Sequence, residues 1–89
     1  MIKLIAADLI NDREIRLRFS DDSVGTLDFS PFIEADTPMT APLRNSDFFG
    51  RFFLELGALA WPNGFDLSAE SLHRRLDEGG RLKRSSAAA

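Results

Sequence analysis

The segment Trp61-Pro62-Asn63-Gly64, with Ser68 shortly after it, constrains the fold of this 89-residue chain more than any other stretch. Proline disfavours helical geometry in the residue before it, so Trp61 is predicted to be extended and to end a strand. Pro62 presets φ for the second position of a β-turn, and Asn63 and Gly64 suit the two positions that follow. Ser68 is a natural N-cap. The segment therefore predicts a strand, a tight turn and a short helix.

The predicted helix covers about residues 68–77. Ala69, Leu72 and Leu76 fall on one face at helical spacing, which is typical of a helix that packs against a core. The pair Gly79-Gly80 is predicted to end the helix, because glycine adopts the left-handed conformation that follows a helix at little cost. This is the main helix that the sequence predicts.

Three strands in the N-terminal part predict an antiparallel meander. They cover residues 2–10, 13–19 and 24–29 and are separated by short turns. The middle strand alternates, so that Ile15, Leu17 and Phe19 are predicted to point inward. The first strand has apolar residues on both faces, a pattern that indicates a central strand or an interface strand.

Helical turns and a loop are predicted next. Ser30 is predicted to cap a one-turn helix with Pro31 at its first position. Residues 35–43 contain two prolines and predict an irregular loop, long enough to serve as a lid or a segment that faces a partner. Residues 46–49 predict a further helical turn.

A second hairpin completes the predicted fold. Its strands are residues 50–53 and 58–61, and Gly57 can supply a positive φ in the turn between them. The fold class is therefore α+β, with a small antiparallel sheet of about five strands packed against the short C-terminal helix. Residues 1–79 are predicted to form this single domain, and residues 80–89 a flexible tail that is basic and rich in Ala and Ser.

Composition excludes several kinds of site. The chain has no cysteine and a single histidine, so a disulfide framework, a cysteine metal site and a multi-histidine metal site cannot form within one chain. No cofactor and no metal are expected. We expect no signal peptide, since the first residues lack a basic start followed by a long apolar core, and no apolar run approaches the ~20 residues of a membrane span. We therefore expect a cytoplasmic protein that has no membrane contact.

Charge is distributed unevenly along the chain. Residues 1–73 carry a net charge of −6 and residues 74–89 a net charge of +3. The acidic body argues against nucleic acid as the main partner, because binding to a duplex depends on neutralising phosphates. The basic run Arg81-Leu82-Lys83-Arg84 leaves two interpretations, contact with phosphate or a solubilising tail.

Polar residues near the turn are the candidates for a ligand or catalytic site. Asp66, beside Trp61 and Asn63, could bind a polar ligand; alternatively, it accepts hydrogen bonds from turn amides and ties the turn to the helix. Trp61 is either a plug in the core or a recognition residue. His73 would need Asp66 or Glu70 as a partner to act as a base.

Sequence motifs of catalysis are missing. The serines do not lie in a Gly-x-Ser-x-Gly pattern, and the chain has no glycine-rich phosphate loop. The aspartates lack calcium-loop spacing. We therefore do not expect an enzyme and assign no catalytic residue.

Four phenylalanines lie within six residues: Phe48, Phe49, Phe52 and Phe53. They fall on both faces of whichever element holds them, so one set faces the core. The other set is covered within the chain or forms an interface with another chain, since an exposed patch of this size normally marks an interaction site. This cluster and the loop 35–43 are the predicted interaction surface.

The chain resembles the bacterial domain-of-unknown-function family 2442 over nearly its whole length. Trp61-Pro62-Asn63-Gly64 and Asp66-Leu67 match the family signature Trp-Pro-Asn-Gly-x-Asp-Leu. The strand Ile15-Arg16-Leu17-Arg18-Phe19 is also of the family type. The chain differs at Ala69, where the family often has proline or a similar residue, and at His73, where it commonly has tyrosine.

The resemblance implies a small cytoplasmic interaction module of mixed α/β fold. Family members are often encoded beside other small proteins in arrangements similar to toxin–antitoxin pairs, and no catalytic residues are established for them. We expect a non-enzymatic, antitoxin-like module that binds itself as a dimer, a neighbouring small bacterial protein, or both. The alternatives are a regulator that contacts DNA through the basic C-terminal tail, and a ligand or catalytic site around Trp61 and Asp66.

Overall fold

The computed structural model describes residues 1–84, which form a mixed α/β domain with two antiparallel sheets. The elements in chain order are β1 (Leu4–Leu9), β2 (Glu14–Phe19), β3 (Ser23–Asp28), α1 (Ser30–Ile33), a 3₁₀ helix (Ala41–Arg44), α2 (Ser46–Phe49), β4 (Phe53–Glu55), β5 (Ala58–Ala60), β6 (Asp66–Leu67), α3 (Ala69–Glu78) and β7 (Lys83–Arg84). The predicted α+β class is confirmed. The strands outnumber the predicted five by two, because β6 and β7 are two-residue pairings too short to leave a sequence pattern.

The first sheet has the strand order β1-β2-β3-β7 and contains the predicted meander. Ile15, Leu17 and Phe19 of β2 are fully buried, as their alternation predicts. Leu27 of β3 lies opposite Ile15 and is also buried. One face of the sheet therefore packs on the core and the other faces solvent.

β1 is an edge strand of this sheet and not a central one. Its register against β2 shifts between Leu4 and Ala6, as in a β-bulge. Leu4 is buried, whereas Ile5 and Leu9 are half exposed. Apolar residues on both faces of β1 therefore do not reflect burial on both sides within this chain.

The second sheet, of order β4-β5-β6, is offset from the predicted hairpin. β4 begins at Phe53, and the turn to β5 consists of Leu56 and Gly57, which have φ values of 51° and 82°. Two consecutive positive φ angles are the geometry of a two-residue hairpin turn, which suits glycine at the second position. A Cβ atom at Gly57 would lie 2.8 Å from the Cβ of Lys3, so close packing also favours glycine there.

Helix α3 has the caps that the sequence predicts. The hydroxyl of Ser68 accepts a hydrogen bond from the Ser71 amide. At the other end, the Arg81 amide donates to the Leu76 carbonyl and the Gly80 amide to the Asp77 carbonyl. This pair of bonds is a Schellman motif, with Gly80 at a φ of +69°. The motif turns the chain back toward β3.

The start of α1 differs from its prediction. Phe29 is the N-cap and Ser30 is the first helical residue. The carboxylate of Asp28 accepts hydrogen bonds from the Ser30 amide and hydroxyl. Asp28, and not Ser30, is therefore the side-chain acceptor at the start of α1. The predicted loop 35–43 is shorter than expected, because the 3₁₀ helix starts at Ala41.

Part of the predicted tail belongs to the fold. Lys83 and Arg84 pair with Val24 and Ser23 as strand β7, and Leu82 packs against the core. The structure thus differs from the prediction at 81–84; residues 85–89 of the predicted tail lie outside the described residues. Within residues 1–84, no helix is long and apolar enough to cross a membrane.

Candidate functional site

The turn that follows β5 is held by its own backbone and by Asn63. The Gly64 amide donates to the Trp61 carbonyl at 3.0 Å, and the Trp61 amide to the Phe65 carbonyl at 2.9 Å. The Asn63 side chain accepts from the Phe65 amide and donates to the carbonyl of Met39. Asn63 therefore closes the turn and ties it to the loop that precedes the 3₁₀ helix.

Trp61 is a core residue. Its side chain is 1% exposed, and its indole N–H donates to the Phe49 carbonyl oxygen at 2.9 Å. The rings of Phe29, Phe49 and Phe65 surround it at centroid distances of 5.5–6.1 Å. A polar ligand outside the turn therefore meets little of the indole.

The side chain of Asp66 is exposed, whereas that of Trp61 is buried. Asp66 lies in β6, opposite Ala60, and its carboxylate has no hydrogen-bond partner among the described residues. The Gly64 and Phe65 amides donate to the Trp61 carbonyl and to the Asn63 side chain, and not to Asp66. The structure does not bring Trp61, Asn63 and Asp66 together as a polar cleft.

His73 meets an acid that the sequence did not indicate. Its Nε2 lies 3.0 Å from Oδ2 of Asp21, in the turn between β2 and β3. The ring also packs edge-on against Phe19 at 5.1 Å. The predicted partners, Asp66 and Glu70, do not take this place. Because 52 residues separate the two side chains, helical spacing could not reveal the pair.

Asp21 is an acceptor at the centre of this contact. Burial raises the pKa of its carboxyl, but hydrogen bonds from the Ser23 hydroxyl and amide, and then from His73, outweigh burial and lower the pKa to about 2. The carboxylate is thus ionised at neutral pH. It links α3 to the β2–β3 turn and to the first residue of β3.

The order of groups in this contact does not suit nucleophilic catalysis. The carboxylate of Asp21 stands between the Ser23 hydroxyl and the His73 ring. A nucleophilic serine needs the histidine next to its hydroxyl, with the carboxylate behind the histidine. Ser23 is also buried, at 3% exposure. In residues 1–84, no group of three or more metal-binding side chains occurs.

The four clustered phenylalanines divide by exposure. Phe49 is fully buried, and Phe48 and Phe52 are partly buried against the core. Phe53, in β4, is 44% exposed. Most of the bulk of this cluster is therefore covered within the chain, and Phe53 is the member most available to a partner.

Phe53 lies in the region where the two sheets meet, which has several exposed apolar side chains. β1 and β4 lie side by side: the Leu4 amide donates to the Gly57 carbonyl at 2.8 Å, and Leu9 packs close to Gly50. Large apolar side chains of this region are 39–51% exposed. We call them the seam strip: Ile5, Leu9, Ile10, Phe53 and Leu54. The apolar residues on both faces of the predicted first strand, residues 2–10, were the sequence signal for three of the five members.

Comparison with known proteins assigns a family but no activity. A family model described as "Protein of unknown function (DUF2442)" matches residues 4–78. The chain belongs to that family, as the resemblance predicted. No curated protein and no solved structure matches the chain.

Proposed function

We propose that this member of the DUF2442 family is a non-enzymatic protein-interaction module that binds its partner through the seam strip. The observation that carries the proposal is that five large apolar side chains on β1, on Ile10 just after it and on the adjacent strand β4 are each 39–51% exposed. Single exposed apolar residues are ordinary on protein surfaces, whereas a contiguous apolar group marks an interaction site.

Covering the strip would contribute part of the free energy of a specific complex. Full burial of a large apolar side chain contributes roughly 1.5–3 kcal/mol, so covering the exposed half of each contributes about 1 kcal/mol. Five such side chains contribute about 5 kcal/mol before the costs of association are subtracted. Polar contacts at the margin of the strip would add specificity.

The charges beside the strip indicate the kind of partner. Asp8, Asp12 and Glu55 lie within two residues of its members in sequence and are exposed, as are the cations Lys3 and Arg51. A two-fold interface with a second copy would bring these acidic margins toward each other. A different small protein with an apolar patch and a basic margin fits better, and it would associate faster because the body of this chain is acidic. An antitoxin-like role, in which this chain covers a basic partner, is consistent with that complementarity.

The test is direct binding to the product of the adjacent gene, together with the mass of the protein in solution. The double variant Ile5→Thr/Phe53→Thr removes two members of the strip and keeps residues that favour strands. It should weaken the complex about thirtyfold, which corresponds to about 2 kcal/mol. Leu56→Asn is the matched control, since Leu56 is exposed outside the strip at a positive φ that asparagine tolerates.

Two results would overturn the proposal. One is a monomer that shows no binding to the neighbouring protein; the other is a complex that the double variant leaves unchanged. If the protein is a dimer and the double variant is a monomer, the strip is an interface and the partner is a second copy of this chain. The control should bind like the unaltered protein in every case.

A further inference from the structure

A second surface lies at the opposite edge of the first sheet from β1. It is an open depression of about 670 Å³ on the side where β7 pairs with β3. Its lining comes from β2, β3 and the segment after α3. The residues are Arg16, Val24, Gly25, Thr26, Gly80, Arg81, Lys83 and Arg84. Four of these eight are cations and none is an acid, in a chain whose net charge is −3.

The four cations form no ion pair with a carboxylate of residues 1–84. Within residues 1–84, the arginines that form ion pairs are elsewhere, at positions 13, 18, 44 and 51. Arg84 donates instead to the Asp21 carbonyl at 3.0 Å, and Arg81 is 3.5 Å from the Thr26 carbonyl. Backbone carbonyls accept from these two guanidinium groups and leave them charged, although Asp28 is close enough to Arg81 for the two charges to interact. Asp8, opposite Arg16 on β1, makes no ion pair with it.

Local sequence builds this depression. Gly80 allows the chain to reverse after α3, so that Lys83 and Arg84 reach the edge of β3. Gly25 allows the close approach: a Cβ atom there would lie 2.9 Å from the Arg81 carbonyl oxygen and 3.0 Å from a methyl group of Leu76. One surface thereby contains residues that are distant in sequence, namely Arg16 and the basic run 81–84.

We propose that this depression binds adjacent phosphoryl groups, as carried by a nucleic-acid backbone or by a free polyphosphate chain. Arginine presents a planar fork of donors that matches phosphate oxygens, and lysine adds a point charge. The lining has no aromatic side chain on which a base could stack. Recognition therefore uses phosphate and not base sequence. The site goes beyond the proposed protein interaction and uses other residues.

Salt dependence tests the assignment. Binding of a labelled short DNA duplex and of a labelled single-stranded RNA would be followed by fluorescence anisotropy, from about 20 mM to about 200 mM salt. Calorimetry with inorganic tripolyphosphate provides the small-molecule arm. If all four cations contact phosphates, the slope of log K against log salt for the duplex should be about −3 to −4. Binding of tripolyphosphate without either polynucleotide would assign the site to free polyphosphate.

Variants locate the binding. Arg16→Gln/Lys83→Gln removes two lining cations that are exposed, so folding should be retained. We expect the duplex slope to fall by about 2 and the affinity for each bound phosphate ligand to fall about a hundredfold at low salt. Arg51→Gln is the control, since Arg51 is paired with Asp47 away from the depression. Absence of binding in all three arms, or equal losses in the control and the double variant, would overturn the proposal.

Discussion

The Trp61–Gly64 turn and the seam strip differ in how far their side chains are in contact with the rest of the chain. The turn identifies the family, yet its polar groups are already bound within the chain: the indole N–H to Phe49, and the Asn63 amide to Met39 and Phe65. The strip carries no signature motif, yet its apolar side chains are about half exposed. Residues of a recognisable motif can thus be those that build the fold, whereas the surface proposed for binding lies where contacts are left unmade.

Removing the indole should show the largest effect on stability. Trp61→Ala removes a fully buried ring and leaves the Phe49 carbonyl without its donor. We expect the free energy of unfolding to fall by about 3–5 kcal/mol, measured by urea denaturation with far-ultraviolet circular dichroism. A small domain has only about 5–15 kcal/mol to lose, so this variant could be largely unfolded.

Trp61→Phe keeps the measurement interpretable in that event. It retains an aromatic ring and loses the N–H donor, so a decrease of about 1–3 kcal/mol is expected. If Trp61→Ala lowers the free energy of unfolding by less than about 1 kcal/mol, the fold does not require the indole. The contrast between the turn and the seam strip would then be lost.

The Asp21–His73 contact should have an intermediate effect that depends on pH. The folded-state pKa of Asp21 is about 2, below its ordinary value of 3.8. The contribution to stability is therefore complete above pH 4 and is lost as the pH falls from about 4 to about 2. Since the side chain is about one-third exposed, we expect a contribution of roughly 1–2 kcal/mol.

Denaturation at several pH values checks this contribution. Asp21→Asn should lower the free energy of unfolding near neutral pH and reduce its decline between about pH 4 and about pH 2. Asp66→Asn is the control, because that exposed carboxylate has no hydrogen-bond partner in residues 1–84. Identical acid profiles for the unaltered protein and Asp21→Asn would refute the assignment.

Local sequence predicted the elements whose causes are local. The alternation in β2 determined which side chains are buried, and Ser68 with Gly79-Gly80 determined both ends of α3. Asn63 was correctly placed in a turn, although its bond to Met39 depends on how the preceding loop packs. Where one to five neighbouring residues decide the conformation, the sequence pattern was sufficient.

Features that depend on packing could not be predicted in this way. A strand with apolar residues on both faces can lie inside a sheet or at a sheet edge, and only the strand order places β1 at the edge. β7 exists because the Schellman turn and the missing side chain of Gly25 bring Arg84 to β3. The seam strip likewise exists only because β1 and β4 meet, since neither contains the whole strip.

The smallest effect on stability is expected at the strip itself. Ile5→Thr and Phe53→Thr change side chains that are already about half exposed, and threonine suits a strand. Each should therefore lower the free energy of unfolding by less than about 1 kcal/mol, in the same urea assay as the Trp61 variants. The same pair should weaken partner binding about thirtyfold. Substitutions in the strip should therefore change binding more than stability, and substitutions in the turn should change stability more than binding. A loss of stability as large as that of Trp61→Ala would mean that the strip is part of the core, and its apolar side chains would need no partner to explain them.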